Sequence, residues 1–318
     1  MVAMIAAWKK DKGVTLIELL IVLVIAAFLV AGVYSLFITQ HRSYSVQDQV
    51  VGVQQDARAA LNIMARDIRM AGFVVGAGSG FGFTDGATTT TIPSTDPAGV
   101  FYNHAVEPGN STTGPDTITV VLGAEELGTV SGVLGNSVTL ASPAATSTPV
   151  LFAFDLQPGR LYQGTVSGAT ITVSSTGFPS GDSKIEGGKA YGVQAITYSV
   201  GADGVLRRNT NTSVSSNQPL AGDGINTFVE DLQFAYQVQG DTANWYNTPA
   251  AAGATNADIR MIRINITVRP AIQDATVQDA ASAAQFRQPA LEDHITNLGG
   301  PDGFRRRVYT TEVNVRNL

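Results

Sequence analysis

Cysteine is absent from this 318-residue sequence, histidine occurs three times, and only 14% of residues are charged. Without cysteine there is no disulfide framework and no thiolate chemistry, so any exported domain must hold together by its core alone. More than 200 residues of folded chain suffice for that. The three histidines, His41, His104 and His294, share no metal-ligand or catalytic spacing, and neither His-Glu-x-x-His nor Gly-x-Ser-x-Gly occurs. They read as solvated surface residues, and no enzyme and no cofactor is expected. A net charge of −6 argues against a surface that tracks nucleic-acid phosphates. No proline occurs between Met1 and Ile92, so nothing in that stretch forces a helix to stop.

One long apolar run is present. From Leu19 to Ile38 only Tyr34 and Ser35 interrupt it. Twenty helical residues span about 30 Å, the hydrocarbon thickness of a bilayer. A cleaved secretory signal has a shorter apolar core. Lys9, Lys10 and Lys12 precede the run, which predicts a cytoplasmic N-terminus and a translocated remainder. Glu18 stands near the start of the span, where a carboxylate costs less than at the bilayer centre. It reads either as a boundary residue that snorkels or takes up a proton, or as one with a specific partner.

Beyond Ile38 the sequence turns polar without a break. Val46, Val50, Val53, Ala57, Leu61, Met64 and Ile68 recur at spacings of four and three, one face of an amphipathic helix. Gly72 is a plausible C-cap. The pattern predicts one helix from Val14 to Ala71, its second half packed on the chain's own globular domain. Arg66 and Asp67 read as solvated helix-end charges.

Residues 74–99 are rich in Gly, Thr, Ser and Ala and read as a long surface loop or meander. After them the period becomes two. Strands and hairpins are predicted over 116–123, 137–142, 149–155, 159–175, 189–209, 228–238, 259–270 and 305–318. Ile262, Ile264, Ile266 and Val268 share one face, as do Tyr309, Thr311, Val313 and Val315. Gly240–Asp258 and Ala271–Asp302 read as long loops. The Asp turns at 201–204 and 221–224 hold too few carboxylates to predict calcium binding. Arg305, Arg306, Arg307 and Arg316 read as solvated strand flanks or as partners of Glu230 and Asp231.

The stretch Lys9-Lys10-Asp11-Lys12-Gly13, followed by Val14-Thr15-Leu16-Ile17-Glu18-Leu19-Leu20, resembles the type III signal of type IV prepilins and pseudopilins. The resemblance implies that a prepilin peptidase cuts after Gly13 and methylates Val14. Val14 departs from the family's usual Phe or Met. It also gives Glu18 a partner: the free amine of Val14 on a neighbouring subunit. At 4 Å such a pair is worth about 4 kcal/mol before desolvation, and it would set axial register. The C-terminal blocks resemble PilW-type minor pilins. They are Tyr191-x-Val193 with Gly204-x-Leu206-Arg207-Arg208, Val229 to Phe234 with Tyr236, the Trp245 loop, the Ile262–Val268 strand, and the terminus from Arg305 to Asn317.

The implied fold is α+β and pilin-like, a lollipop: a long N-terminal helix on a C-terminal antiparallel β domain. The parts are a cytoplasmic leader (1–13), a transmembrane or filament-core half-helix (14–38), an amphipathic half-helix (39–72) and a β-rich periplasmic domain (73–318). The implied function is that of a minor pilin that primes type IV pilus assembly near the tip. Its implied partners are other minor pilins, the major pilin, the prepilin peptidase and the inner membrane, with no nucleic acid. Two other readings remain open: a J-like minor pseudopilin of a type II secretion system, and a membrane-anchored adhesin or enzyme with an uncleaved anchor.

Overall fold

A computed structural model describes residues 14–76, 84–85, 88–89, 104–144, 151–156, 162–173, 185–211, 216–273, 288–295 and 302–317. The chain divides into two compact units, Met1–Asp48 and Gln49–Leu318. One helix, α1 (Leu16–Met70, 55 residues), contributes to both. It is three residues shorter than the expected 58.

In the first unit the helix is apolar all round. Every described side chain from Val14 to His41 is exposed, and Leu16–His41 is long and apolar enough to cross a membrane.

In the second unit the helix has one buried stripe. Val53, Ala57, Leu61, Met64 and Ile68 are buried, as the spacing predicts, and Ala60 and Ala65 join them. The side chains of Val46 and Val50 lie outside the described set. The helix stops at Gly72, whose φ of 79° suits a residue without Cβ. Its last carbonyls are capped from the far end of the chain: the Asn317 side-chain amide donates to Arg69 O at 3.5 Å and Ala71 O at 3.3 Å.

The stripe packs on two antiparallel sheets. The four-stranded sheet has the order β13 (Asp241–Tyr246), β12 (Thr227–Val238), β14 (Ile259–Pro270), β15 (Arg307–Asn314). Ile262, Ile264, Ile266 and Val268 all enter the core with Val313 and Val315. On β12 the apolar positions Val229, Leu232, Phe234 and Tyr236 change parity midway. A β-bulge at Glu230 absorbs the change: Val229 pairs Val268, yet Asp231 pairs Thr267. The sequence between β12 and β14 is not a loop. It forms β13 and two short 3-10 turns, Pro249–Ala252 and Asn256–Asp258.

The second sheet contains β3 (Val106–Gly109), β4 (Thr117–Leu134), β5 (Ser137–Leu140), β6 (Leu151–Phe154), β7 (Tyr162–Ser167), β8 (Thr170–Val173), β9 (Lys189–Val200), β10 (Leu206–Asn211) and β11 (Ser216–Ala221). Its pairings close on themselves. β9 pairs β6, then β7, β8, β5 and β4 follow, and β4 returns to β9. This six-stranded ring encloses its own core, with Phe152, Phe154, Val138, Ile171 and Ala190 fully buried. β4 reaches it through two register shifts, at Gly123/Glu125 and Glu126/Gly128, which turn an open sheet into a closed one. Two further short strands, β1 (Thr84–Asp85) and β2 (Thr88–Thr89), pair within the expected meander. Residues 74–76 of that stretch follow the helix end, with Val75 buried rather than on the surface, and the remainder lies outside the described residues.

Candidate functional site

The N-terminal residues come first. Gly13 lies outside the described residues. Val14 and Thr15 precede the helix, and the first backbone bond runs from Leu19 N to Thr15 O at 3.1 Å. Thr15 is the N-cap and Glu18 stands three residues on. The Glu18 amide donates to Thr15 Oγ1 at 3.3 Å, while the Thr15 amide and hydroxyl each reach Glu18 Oε2 at 3.4 Å. That is a capping box with long, weak bonds. The Thr-x-x-Glu spacing carries this signal in the sequence, beside the boundary reading of Glu18 and the intersubunit role that the resemblance implies. The carboxylate therefore has a local task and keeps lone pairs for a second one.

Asp67, expected to be solvated, is a clamp between helix and sheet. Its Oδ2 accepts from Tyr198 Oη at 2.5 Å and Arg208 Nε at 2.8 Å, with the Asp67 and Arg208 side chains 15% and 18% exposed. Burial first, and Asp67 second, hold the Tyr198 phenol above its ordinary value. Arg66, its neighbour, is exposed as predicted. Asp67→Ala would leave a half-buried guanidinium and a buried phenol without their acceptor. We expect it to lower stability by about 3 kcal/mol, read from the urea midpoint of a fragment starting at Gln49.

The bulge on β12 sends two adjacent carboxylates to different partners. Glu230 binds Arg306 twice (Nε to Oε2 at 2.5 Å, Nη2 to Oε1 at 2.9 Å) and lies 3.3 Å from Arg269 Nε. Asp302 grips the same guanidinium from the other side. The Arg306 side chain is 6% exposed, so the expected pairing with Glu230 holds, but the arginine is not a solvated flank. Arg269 also lies over the rings of Phe228 and Phe304, at 4.7 and 4.1 Å. Asp231 pairs with a histidine and not with an arginine. His294 Nδ1 lies 2.7 Å from Asp231 Oδ2, and both residues are buried. His294 is therefore no surface residue. His104 is half-buried against Glu107 at 3.2 Å, and His41 is exposed.

Beside this pair sits Asp116, which joins the two sheets. Its amide donates to Leu232 O at 2.7 Å, and its carboxylate accepts from the amides of Ser111 (2.7 Å) and Phe234 (2.9 Å). It is 2% exposed. Burial pushes its pKa up to about 7 against the pull of those two amides, and the charges of Asp293 and Asp231 add to the rise.

The two Asp turns use their carboxylates internally. Asp203 pairs with Arg207, and Asp223 accepts from the amides of Ile225, Asn226 and Thr227. Among the described residues no group of three or more His, Asp or Glu is placed to hold a metal. Trp245, singled out in the sequence, lies under the Arg263 guanidinium at 4.0 Å.

Comparisons with known proteins agree with both ends of the chain. Residues 8–34 match the prokaryotic N-terminal methylation motif, and residues 191–317 match the model for type IV pilus-assembly protein W. The second match begins in β9 and ends past β15, so it takes in the four-stranded sheet. No curated protein matches the sequence. Among solved structures, a type IV-like pilin from Thermus thermophilus is similar at 13% identity and a TM-score of 0.38, covering 83% of this chain and 97% of the other.

Proposed function

Because this chain joins a type IV prepilin N-terminus to a PilW domain, and is a PilW-type member of the type IV pilin class, we propose that it is a minor pilin that helps prime pilus assembly, near the tip, together with other minor pilins. It is a structural subunit and not an enzyme. The observation that carries the reading is an apolar helical segment, Leu16–His41, whose side chains are all exposed and whose first part falls within the methylation motif. Exposed apolar surface of that extent needs a cover. The bilayer supplies it before assembly, and neighbouring pilin helices supply it in the fibre. Leu23, Ala26, Ala27, Val30, Ala31 and Tyr34 line a shallow open groove on this helix. Its small side chains suit close helix approach. The PilW match over residues 191–317 supports this reading over a J-like pseudopilin.

In the proposed sequence the peptidase cuts after Gly13 on the cytoplasmic side of the inner membrane, and the β domain faces the periplasm. Cleavage frees the Val14 amine one helical turn from Glu18. In the fibre, Glu18 of one subunit meets the amine of the next. The long capping bonds leave the carboxylate able to do so.

Mass spectrometry of the mature chain tests the first step, with methylated Val14 expected at its start. Gly13→Leu is expected to leave the whole precursor unprocessed; an intact Met1 on the wild-type chain overturns the reading. Glu18→Ala is expected to be cleaved normally yet enter fibres at least tenfold less well, since 1.4 kcal/mol already gives that factor. Glu18→Gln keeps a capping acceptor and loses the charge. If it enters fibres like wild type, capping and not charge is the task of Glu18.

A further inference from the structure

Antiparallel pairing sends the backbone groups of alternate residues to opposite sides of a strand. On β15 the phase is set by the bond from Val315 N to Arg260 O at 2.9 Å. It belongs to the register that pairs Met261 with Asn314 through to Val268 with Arg307. Arg307, Tyr309, Thr311 and Val313 therefore bond β14. The amides and carbonyls of Val308, Thr310, Glu312 and Asn314 point away from the sheet. They have no backbone partner among the described residues, and all four residues are exposed.

The other edges of the two large sheets are each obstructed. β11 carries Pro219 and a register shift against β10. β3 is four residues long and contains Pro108, and Asn256 is bonded to its Glu107 at 2.7 Å. β13 is registered to β12 only at Tyr246 and Asp241, across a register shift. β15 has none of these devices. It runs for eight residues without proline, lysine or register shift. Its one carboxylate, Glu312, is held by Arg263 of β14 at 3.1 Å. Proteins blunt strand edges because an open one is a template for another strand. An edge left open where its fellows are closed is an edge kept for pairing.

The strand also states what would lie beside it. Tyr309, Thr311 and Val313 alternate towards the core side, and aromatic and β-branched residues favour neighbours of their own kind across a pair of strands. Arg307 and Arg316 are exposed about 30 Å apart along an extended chain. Neither has a carboxylate partner among the described residues. We propose that β15 accepts an extended segment of a second pilus subunit as an added outer strand. That segment is β-branched or aromatic in its middle and carries a carboxylate towards each end. The proposal rests on the minor-pilin reading, which makes the partner a pilus subunit. Backbone pairing supplies the hold, and the flanking side chains supply the choice of partner. A phosphodiester chain has no amides to offer the outward carbonyls, and lipid tails offer neither donor nor acceptor.

The test uses the full chain in its native host, with the photo-cross-linking residue p-benzoylphenylalanine at Asn314, an exposed position on the edge. The expected result is a light-dependent adduct with a different polypeptide, mapped by mass spectrometry to a segment with acidic flanks. Thr310→Pro sets a pyrrolidine ring where the incoming carbonyl must lie, and it removes no bond to β14. It should lower the adduct at least tenfold. Thr310→Val keeps the amide and loses only the hydroxyl contact with Asn265, so it should leave the adduct unchanged. If Thr310→Pro does not accumulate, Val308→Lys decides in its place with the same expected loss, since it keeps every backbone group and sets a charged chain on the edge. The proposal is overturned by no adduct, or by an adduct with a second copy of this chain, with nucleic acid or with lipid. It is overturned equally by a site in the partner's N-terminal helix, by an adduct that the blocking substitution leaves unchanged, or by one that Thr310→Val lowers as much. Mass spectrometry of the mature N-terminus in the same cells keeps the two readings apart. A chain that begins at Val14 but forms no proline-sensitive adduct removes the added strand and leaves the minor pilin standing.

Discussion

Arg306→Ala is expected to destabilise the unit that begins at Gln49 by about 3 kcal/mol, a large fraction of a domain's stability. The guanidinium donates hydrogen bonds to both carboxylate oxygens of Glu230 and of Asp302 in a setting where its side chain is 6% exposed. Burial works against its charge, yet the two carboxylates outweigh burial and raise its pKa above the ordinary value. Truncation removes the cation and leaves the acids. Glu230, 18% exposed, keeps Arg269 at 3.3 Å; Asp302, 34% exposed, recovers water. These residual partners keep the expected loss at the low end of the range for breaking a buried pair. Arg306→Met separates packing from charge. If it costs as much as alanine, the loss is electrostatic, and adding Glu230→Gln should return part of it. The measurement is the urea midpoint at constant m-value. A change below about 0.5 kcal/mol would mean that the cluster is solvated in solution.

The second large effect is a pH dependence that runs opposite to ordinary acid denaturation. In the folded chain burial pushes the Asp116 carboxyl up to about 7, from an ordinary value of 3.8. Between those values the folded state holds a proton that the unfolded state has released, so stability falls as pH rises. Raising the pH from 5 to 8 is expected to remove about 2 kcal/mol. Below pH 4 the slope reverses. Asp241 and Asp203 are both held down at about 2, Asp241 by Asn244 and Tyr246 and Asp203 by Arg207, and their contributions are lost as pH falls through that value. The stability maximum should therefore lie near pH 4, where the falling and rising contributions meet. Asp116→Asn is expected to be less stable at pH 5, because an amide donor then faces a backbone donor. Its decline between pH 5 and 8 should flatten, and chemical denaturation at a series of pH values reads this. An equally steep decline in the variant would move the titration to another group.

The ends of this chain were legible for different reasons. The helix announced itself through unbroken apolar composition, then through a stripe with the right period, and no proline contradicts either. β14 was legible because Ile262, Ile264, Ile266 and Val268 alternate without interruption. β12 was legible as a strand but not in its detail, since a bulge inserts one residue and reverses parity after Glu230. The length of β4 was hidden for a similar reason. Glu125 and Glu126 occur where it bends between two register shifts, and charged residues there read as the end of a strand.

Side-chain partnerships were the least legible. Asp67 meets Arg208 across 141 positions, and His294 meets Asp231 across 63. Nothing local distinguishes such an aspartate from a solvated one. Glu18 is the reverse case. Its sequence context pointed outward to another subunit, and the structure adds the inward contact with Thr15. Gly13 lies outside the described residues, so its assignment rests on the sequence and on the matched motif.

The strand ring bears on how this molecule can change. Its entry and exit, Gly123 on β4 and Val193 on β9, are cross-strand partners, so roughly seventy residues leave and return at one point of the open sheet. A segment tethered that way can be lengthened, exchanged or replaced by a tight hairpin without disturbing the register of the strands beneath it. The fold thus separates the sheet that carries the helix from a ring that closes on itself, and insertions in the ring have room to grow outward.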